Sequence, residues 1–129
     1  MTCLNKNQIL EADDLKMKKV MVPEWADVGD SDAYVMLRTL TGSEREGFES
    51  TMYSIDEDSE TPQVKLTSTD YRAKLCAFCM VDDDGNRLFV ESDIPELNGK
   101  SSIALDRVFA AAQELNGIGK FAAGVIRKN

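Results

Sequence analysis

Histidine is absent from this chain, which removes the commonest general base and the commonest metal ligand together. Hydrolase triads and most zinc sites are disfavoured on that ground alone. Cysteine is scarce: Cys3, Cys76 and Cys79 are an odd number in a chain whose opening, Met1-Thr2-Cys3-Leu4-Asn5-Lys6, shows no basic segment leading into an apolar run. A structural disulfide framework is not indicated. Long apolar runs are missing as well, since no stretch approaches the ~20 residues a membrane span requires, and the chain reads as a cytosolic protein. Positive charge is also short. Fifteen Lys and Arg stand against 23 Asp and Glu, giving a net charge of −8 and a pI near 4.5. Gripping a phosphate backbone depends on Lys and Arg displacing counterions, so nucleic acid is not expected as a partner, and neither is an anionic membrane surface.

What is present points to one small globular unit. A chain of 129 residues with 43% hydrophobic content can bury a single core without staples. Its organising stretch is Ala33 to Ser54. Val35, Leu37 and Thr39 alternate with Tyr34, Met36, Arg38 and Leu40, which is strand spacing. Thr41 followed three residues later by Glu44 then predicts a capping box and the start of a helix. In that helix Phe48 and Met52 form the inward pair, Arg45 and Glu49 a surface ion pair, and Gly47 weakens the middle. Upstream, Asn5 caps a short helix, and Lys18-Lys19-Val20-Met21-Val22 is a strand closed by Pro23, so that the loop from Ala26 to Asp32 makes an antiparallel hairpin with the strand at Tyr34.

Downstream, the acidic run Asp56 to Glu60 with Pro62 predicts an exposed loop. Ser68-Thr69-Asp70 caps a helix apolar nearly all round (Tyr71, Leu75, Cys76, Phe78, Cys79, Met80), the usual signature of a central core helix. Asp82 to Asn86 is a turn, Arg87 to Val90 a short extended piece, and Glu91 to Leu97 a short helix or turn entered through Ser92. Ser101 or Ser102 caps a last helix with Ile103, Val108, Phe109, Ala112 and Leu115 as its stripe, stopped by Asn116-Gly117. The expected architecture is an α+β fold, an N-terminal β-hairpin packed on a mainly helical domain. Residues 1–118 form that domain, with the hairpin at about 18–40, helices at about 42–54, 68–81 and 101–116, and a loosely held tail at 119–129.

Four motifs suggest chemistry, and none is complete. Cys76-Ala77-Phe78-Cys79 has redox spacing, but it falls late in an apolar helix, where burial raises a thiol pKa, and not at a helix N-terminus, where it is lowered. Asp82, Asp84, Gly85 and Glu91 match part of a calcium loop, yet its first ligand position is Met80. Gly99-Lys100-Ser101 resembles the end of a phosphate loop, with Ile94 where the leading glycine is needed. The carboxylates at Asp56 to Glu60 lack the burial that acid–base work requires. The chain is expected to be no enzyme and to hold no cofactor.

Several stretches taken in order resemble the tail assembly chaperones of long-tailed bacteriophages. They are Asn5 to Leu15, Val22-Pro23-Glu24-Trp25, Val35 to Glu44, Tyr71 to Leu75, Asp82 to Phe89, Ala104 to Phe109, and Leu115-Asn116-Gly117. The resemblance implies a non-enzymatic morphogenesis factor that acts in the host cytoplasm and is absent from the mature virion. It implies a protein that keeps the long, helical tape measure protein soluble, recruits tail tube subunits around it, and self-associates into rings or helical arrays. Many members also exist as a longer frameshifted product, and this chain looks like the shorter form. It departs from the family in Gly119 to Arg127, which is basic and small-residue-rich where acidic helix is expected. Trp25, Phe89 and Ile94, each beside a turn and outside a strong periodic stripe, are the candidate exposed contacts for such a partner, and the hairpin edge at Val20, Met21 and Val22 is the candidate seam for a homo-oligomer. A small acidic adaptor that mimics nucleic acid and binds a basic protein is the alternative that the net charge allows.

Overall fold

A computed structural model describes residues 1–27, 32–56, 63–66 and 70–118, with the backbone alone at 53–56 and 63–66. The predicted tail at 119–129 and the middle of the loop before Tyr34 lie outside the described residues. The hairpin forms as its alternation predicts. Strand β1 (Met17–Met21) pairs antiparallel with β2 (Tyr34–Arg38), Val20 opposite Val35 and Lys18 opposite Leu37. Val20, Val22 and Leu37 face inward and are buried, while Met17, Met21 and Tyr34 remain exposed on the other face.

Two features differ from the sequence expectation. The apolar run 71–81 is not helix throughout: α3 (Tyr71–Cys79) ends at Cys79, and Met80–Val81 become strand β5, pairing with β2 through Met36–Val81 and Leu37–Met80. The sheet therefore has three antiparallel strands in the order β1-β2-β5. Arg87 bridges back to Val81, and Leu88 N–H donates to Met80 O at 3.1 Å. The helix after Thr41, α2 (Gly42–Met52), stops two residues early, and β3 (Tyr53–Asp56) begins where the helix was expected to end and pairs antiparallel with β4 (Gln63–Leu66), a strand the sequence reading did not include; of the predicted acidic loop, residues 57–62 lie outside the described residues.

Helix α3 is the centre of the core. Ala73, Leu75, Cys76, Ala77 and Cys79 are fully buried, and the helix packs against α2, α4 (Ile94–Asn98) and α5 (Ser102–Asn116). Helix α5 also crosses β1 and β2. Its inward stripe is Ala104, Leu105, Val108 and Ala112. Ile103, expected in that stripe, is 65% exposed, because it stands one position off the face that meets α3. Ser101 is the cap, its Oγ accepting Ala104 N–H, and Gly117 closes the helix at φ 62°, a left-handed conformation natural to glycine.

The Thr41–Glu44 box is present and carries more than a cap. Thr41 Oγ1 accepts Glu44 N–H at 3.1 Å, and Glu44 Oε1 accepts Thr41 N–H at 2.9 Å. Arg38 then forks onto both carboxylate oxygens at 2.7 and 2.9 Å and donates to Gly85 O at 3.0 Å. Strand β2, helix α2 and the 82–86 turn meet on this one guanidinium. At the far end of the core, Asn116 accepts Leu40 N–H at 2.8 Å and donates to Ala112 O at 2.9 Å.

Gly47 in α2 sits where an added Cβ would touch only the Phe78 ring, at 3.7 Å and beyond, which is ordinary contact. Gly47→Ala should therefore stabilise the protein by about 0.5–1 kcal/mol through helix propensity, read as a higher urea midpoint with unchanged slope.

Candidate functional site

The sequence motifs with chemical overtones resolve into structure. Cys76 and Cys79 are buried in α3, and burial pushes both thiols up to about 12 from an ordinary value near 9. The Cys76 thiol donates weakly to Leu105 O at 3.7 Å, and Asn116 Nδ2 donates to Cys79 Sγ at 3.5 Å. These are core side chains and not a redox pair. Iodoacetamide at pH 8 should modify Cys3 alone in the native protein and all three cysteines in denaturant, counted by intact mass. In the acidic turn, Asp82 Oδ1 accepts the N–H groups of Asp84 and Asn86 at 2.9 and 3.0 Å, which is the work of an Asx turn. Among the described residues no group of three or more His, Cys, Asp or Glu side chains is placed to hold a metal ion.

A site without reactive groups remains. The turn Pro23–Trp25 follows β1, the extended piece 87–90 runs back beside β5, and α4 lies across their ends. Together they form an open groove of about 590 Å³, its apolar surface supplied by Trp25, Leu88, Phe89 and Leu97. Glu24, Asp93 and Glu96 give the lining an acidic character, with Lys100 as its one cation. Two of these carboxylates also fix the walls: Glu24 pairs with Arg107 of α5 at 2.8 Å, and Asp93 accepts Val90 N–H at 2.9 Å. The latter bond, and not a Ser92 cap, shapes the entry to α4. The indole N–H of Trp25 is buried and has no acceptor among the described residues.

The groove brings Trp25 and Phe89 together as two walls of one site. Ile94 does not join them. It is only 6% exposed, because Ile94 and Leu97 are three residues apart in a short helix and both turn toward α3. The exposure on which Ile94 was chosen is absent, and it is a core residue. Leu97 and Leu88 are the groove residues that sequence reasoning missed. The Ile94–Leu97 spacing and the alternation in Arg87-Leu88-Phe89-Val90 were the available signals.

The candidate oligomer seam also changes. Val22 N–H donates to Ala33 O at 3.0 Å and Thr39 N–H to Lys16 O at 2.9 Å, so alternate residues Lys16, Lys18, Val20 and Val22 direct their backbone groups toward β2. Val20 and Val22 also bury their side chains. The outward backbone of this edge strand belongs to Met17, Lys19 and Met21, and of the three residues first chosen only Met21 faces outward.

No helix of the described residues is long and apolar enough to cross a membrane. Compared by sequence, no curated protein matches the chain. The tail assembly chaperone of bacteriophage HK97 is similar in fold, with a TM-score of 0.55 at 16% identity over 88% of this chain and 94% of that one. Residues 5–125 match the family described as phage tail assembly chaperone. That span takes in the hairpin, all three longer helices and the groove, and the chain belongs to the phage tail assembly chaperone family.

Proposed function

We propose that the protein keeps the phage tape measure protein soluble during tail morphogenesis and helps bring tail tube subunits to it. It does so without catalysis, as a homo-oligomer in the host cytoplasm, and leaves before the virion is finished. The observation that carries this reading is the Trp25–Phe89 groove, an aromatic and aliphatic trough with acidic side chains in its lining in a protein of the family. An amphipathic helix with apolar anchors and a basic flank fits such a trough, and a partner carbonyl at Trp25 would satisfy the orphan indole N–H. Aromatic residues in a groove are the usual energetic centre of an interface. Their apolar contacts survive salt, unlike contacts between surface charges.

The test is the soluble yield of the tape measure protein expressed with and without this chain, followed by gel filtration at high salt. Yield should rise and the two proteins should elute together. Trp25→Ala with Phe89→Ala should weaken the complex at least about tenfold, the loss expected of two truncated anchors. A tape measure protein that aggregates regardless defeats the proposal. Co-elution confined to low salt would favour the acidic adaptor instead.

A further inference from the structure

Helices α2, α3 and α5 leave a second apolar groove between them, of about 390 Å³. Met52 from α2, Tyr71 from α3 and Phe109 from α5 line it with half-buried side chains, and Ile118, just past the end of α5, completes the lining. Tyr71 and Phe109 meet edge to face at 5.4 Å between ring centres. Arg45 ties the helices together at the end of α5. Its Nε donates to Glu49 Oε1 at 2.8 Å and its Nη1 to Asn116 O at 3.2 Å, so the cation in the lining already has its counter-ion. Unlike the surface around α1 (Lys6–Glu11), a helix that buries none of its side chains, this groove is a concavity into which the chain itself leads.

We infer that segment 119–129 of the same chain covers this groove, with Phe121 seated among Met52, Tyr71 and Phe109. The path of the chain names the occupant. Gly117 ends α5 at φ 62°, its N–H donating to Glu114 O at 3.4 Å while Ile118 N–H donates to Gln113 O at 2.9 Å, the paired bonds of a Schellman closure. Ile118 is thereby held in the lining and packed against the core, and residue 119 sets out from the site itself. Phe121 is three residues further on, a span of at most ~10 Å. Past Ile118 the large apolar side chains are Phe121, Val125 and Ile126, and the charged ones are Lys120, Arg127 and Lys128. All 23 Asp and Glu precede Gly117, so the segment meets the body as a cation meets an anion. Glu49, with about half its side chain exposed, is the carboxylate in the groove lining. Tethering adds to the match. A segment joined this close to its site is present there at an effective concentration on the order of millimolar, which a second copy or a separate protein has to exceed. The segment is then not the loosely held tail that its small residues suggest. The inference does not depend on the chaperone reading, and it leaves the Trp25–Phe89 groove open to a partner.

The test keeps the full chain in a Cys3→Ser background, which removes the one exposed cysteine of the three, and attaches a nitroxide at Gly124→Cys. With ¹³C-methyl methionine in the same chain, the Met52 methyl signal should broaden severalfold more than those of Met17 and Met21, which are exposed on the other face of the sheet. Phe121→Ser lies beyond the last helix and leaves the folded body intact, and it should remove most of that difference. Equal broadening of Met52, Met17 and Met21 would overturn the inference, as would a Phe121→Ser variant that keeps the difference. Nitroxide chains without isotope, mixed with isotope chains without nitroxide, should leave Met52 sharp. Broadening of Met52 in that mixture would mean that another copy fills the groove, and the inference would fail. No tape measure protein is present in any arm, so this result and the chaperone test stand or fall separately.

Discussion

Leu37→Ala is expected to be the most damaging single truncation in the sheet, at about 3–5 kcal/mol. Leu37 lies in the middle strand, opposite Lys18 on one side and Met80 on the other, and has no exposed surface. Its side chain points into the face that α5 crosses, so neighbours on three sides are fixed by backbone pairing or helix packing. A site so framed collapses little when emptied, and the cavity cost adds to the lost transfer energy. A urea titration followed by circular dichroism reads the change directly. A loss below 1 kcal/mol would mean that the sheet and helices close over the vacancy, and that the framing is softer than the pairing implies.

Arg38→Met should cost about 2 kcal/mol at neutral pH, and less in acid. The variant keeps the stem but leaves Glu44 without its counter-ion and Gly85 O without its donor. Both partners are about four-fifths buried, where a charged group deprived of its partner is costly. For Glu44, burial by itself raises the carboxyl pKa. The Thr41 N–H and the Arg38 guanidinium together outweigh that effect and hold it below the usual carboxylate value. A lowered folded-state pKa contributes stability that is fully present above the unfolded value near 4.5 and is lost as pH falls through the folded one. The gap between the native chain and Arg38→Met should therefore be widest above pH 5 and narrow below pH 4. A gap independent of pH would assign the effect to packing and to Gly85 alone.

How much of this was legible depended on whether a local pattern had a competing reading. The hairpin was readable because Val35 and Leu37 alternate with Tyr34 and Met36, and a one-residue slip would expose the buried set. The α2 start was readable from Thr41 and Glu44 alone. Met80 and Val81 were not, since a buried strand that continues a buried helix has no change of hydrophobicity to mark it. Strands β3 and β4 were hidden by the acidic residues around them. In the candidate site, Trp25 and Phe89 stood out as large side chains beside turns. Ile94 fitted the same description, and only the direction of α4 separates it from them. Leu97 enters the groove through that same direction, which no single-residue signal could supply.

The direct passage of α3 into β5 also bears on how the chain folds. With no loop between Cys79 and Met80, the third strand cannot reach β2 until the central helix has taken its orientation, and the helix cannot rotate without dragging that strand out of register. Sheet closure and helix docking become a single event between segments distant in sequence, which raises contact order and slows folding relative to a helical bundle of the same size. The same linkage leaves few stable half-assembled states. Mutations at Leu37 and Met80 should therefore perturb the folding barrier together, in one cooperative transition.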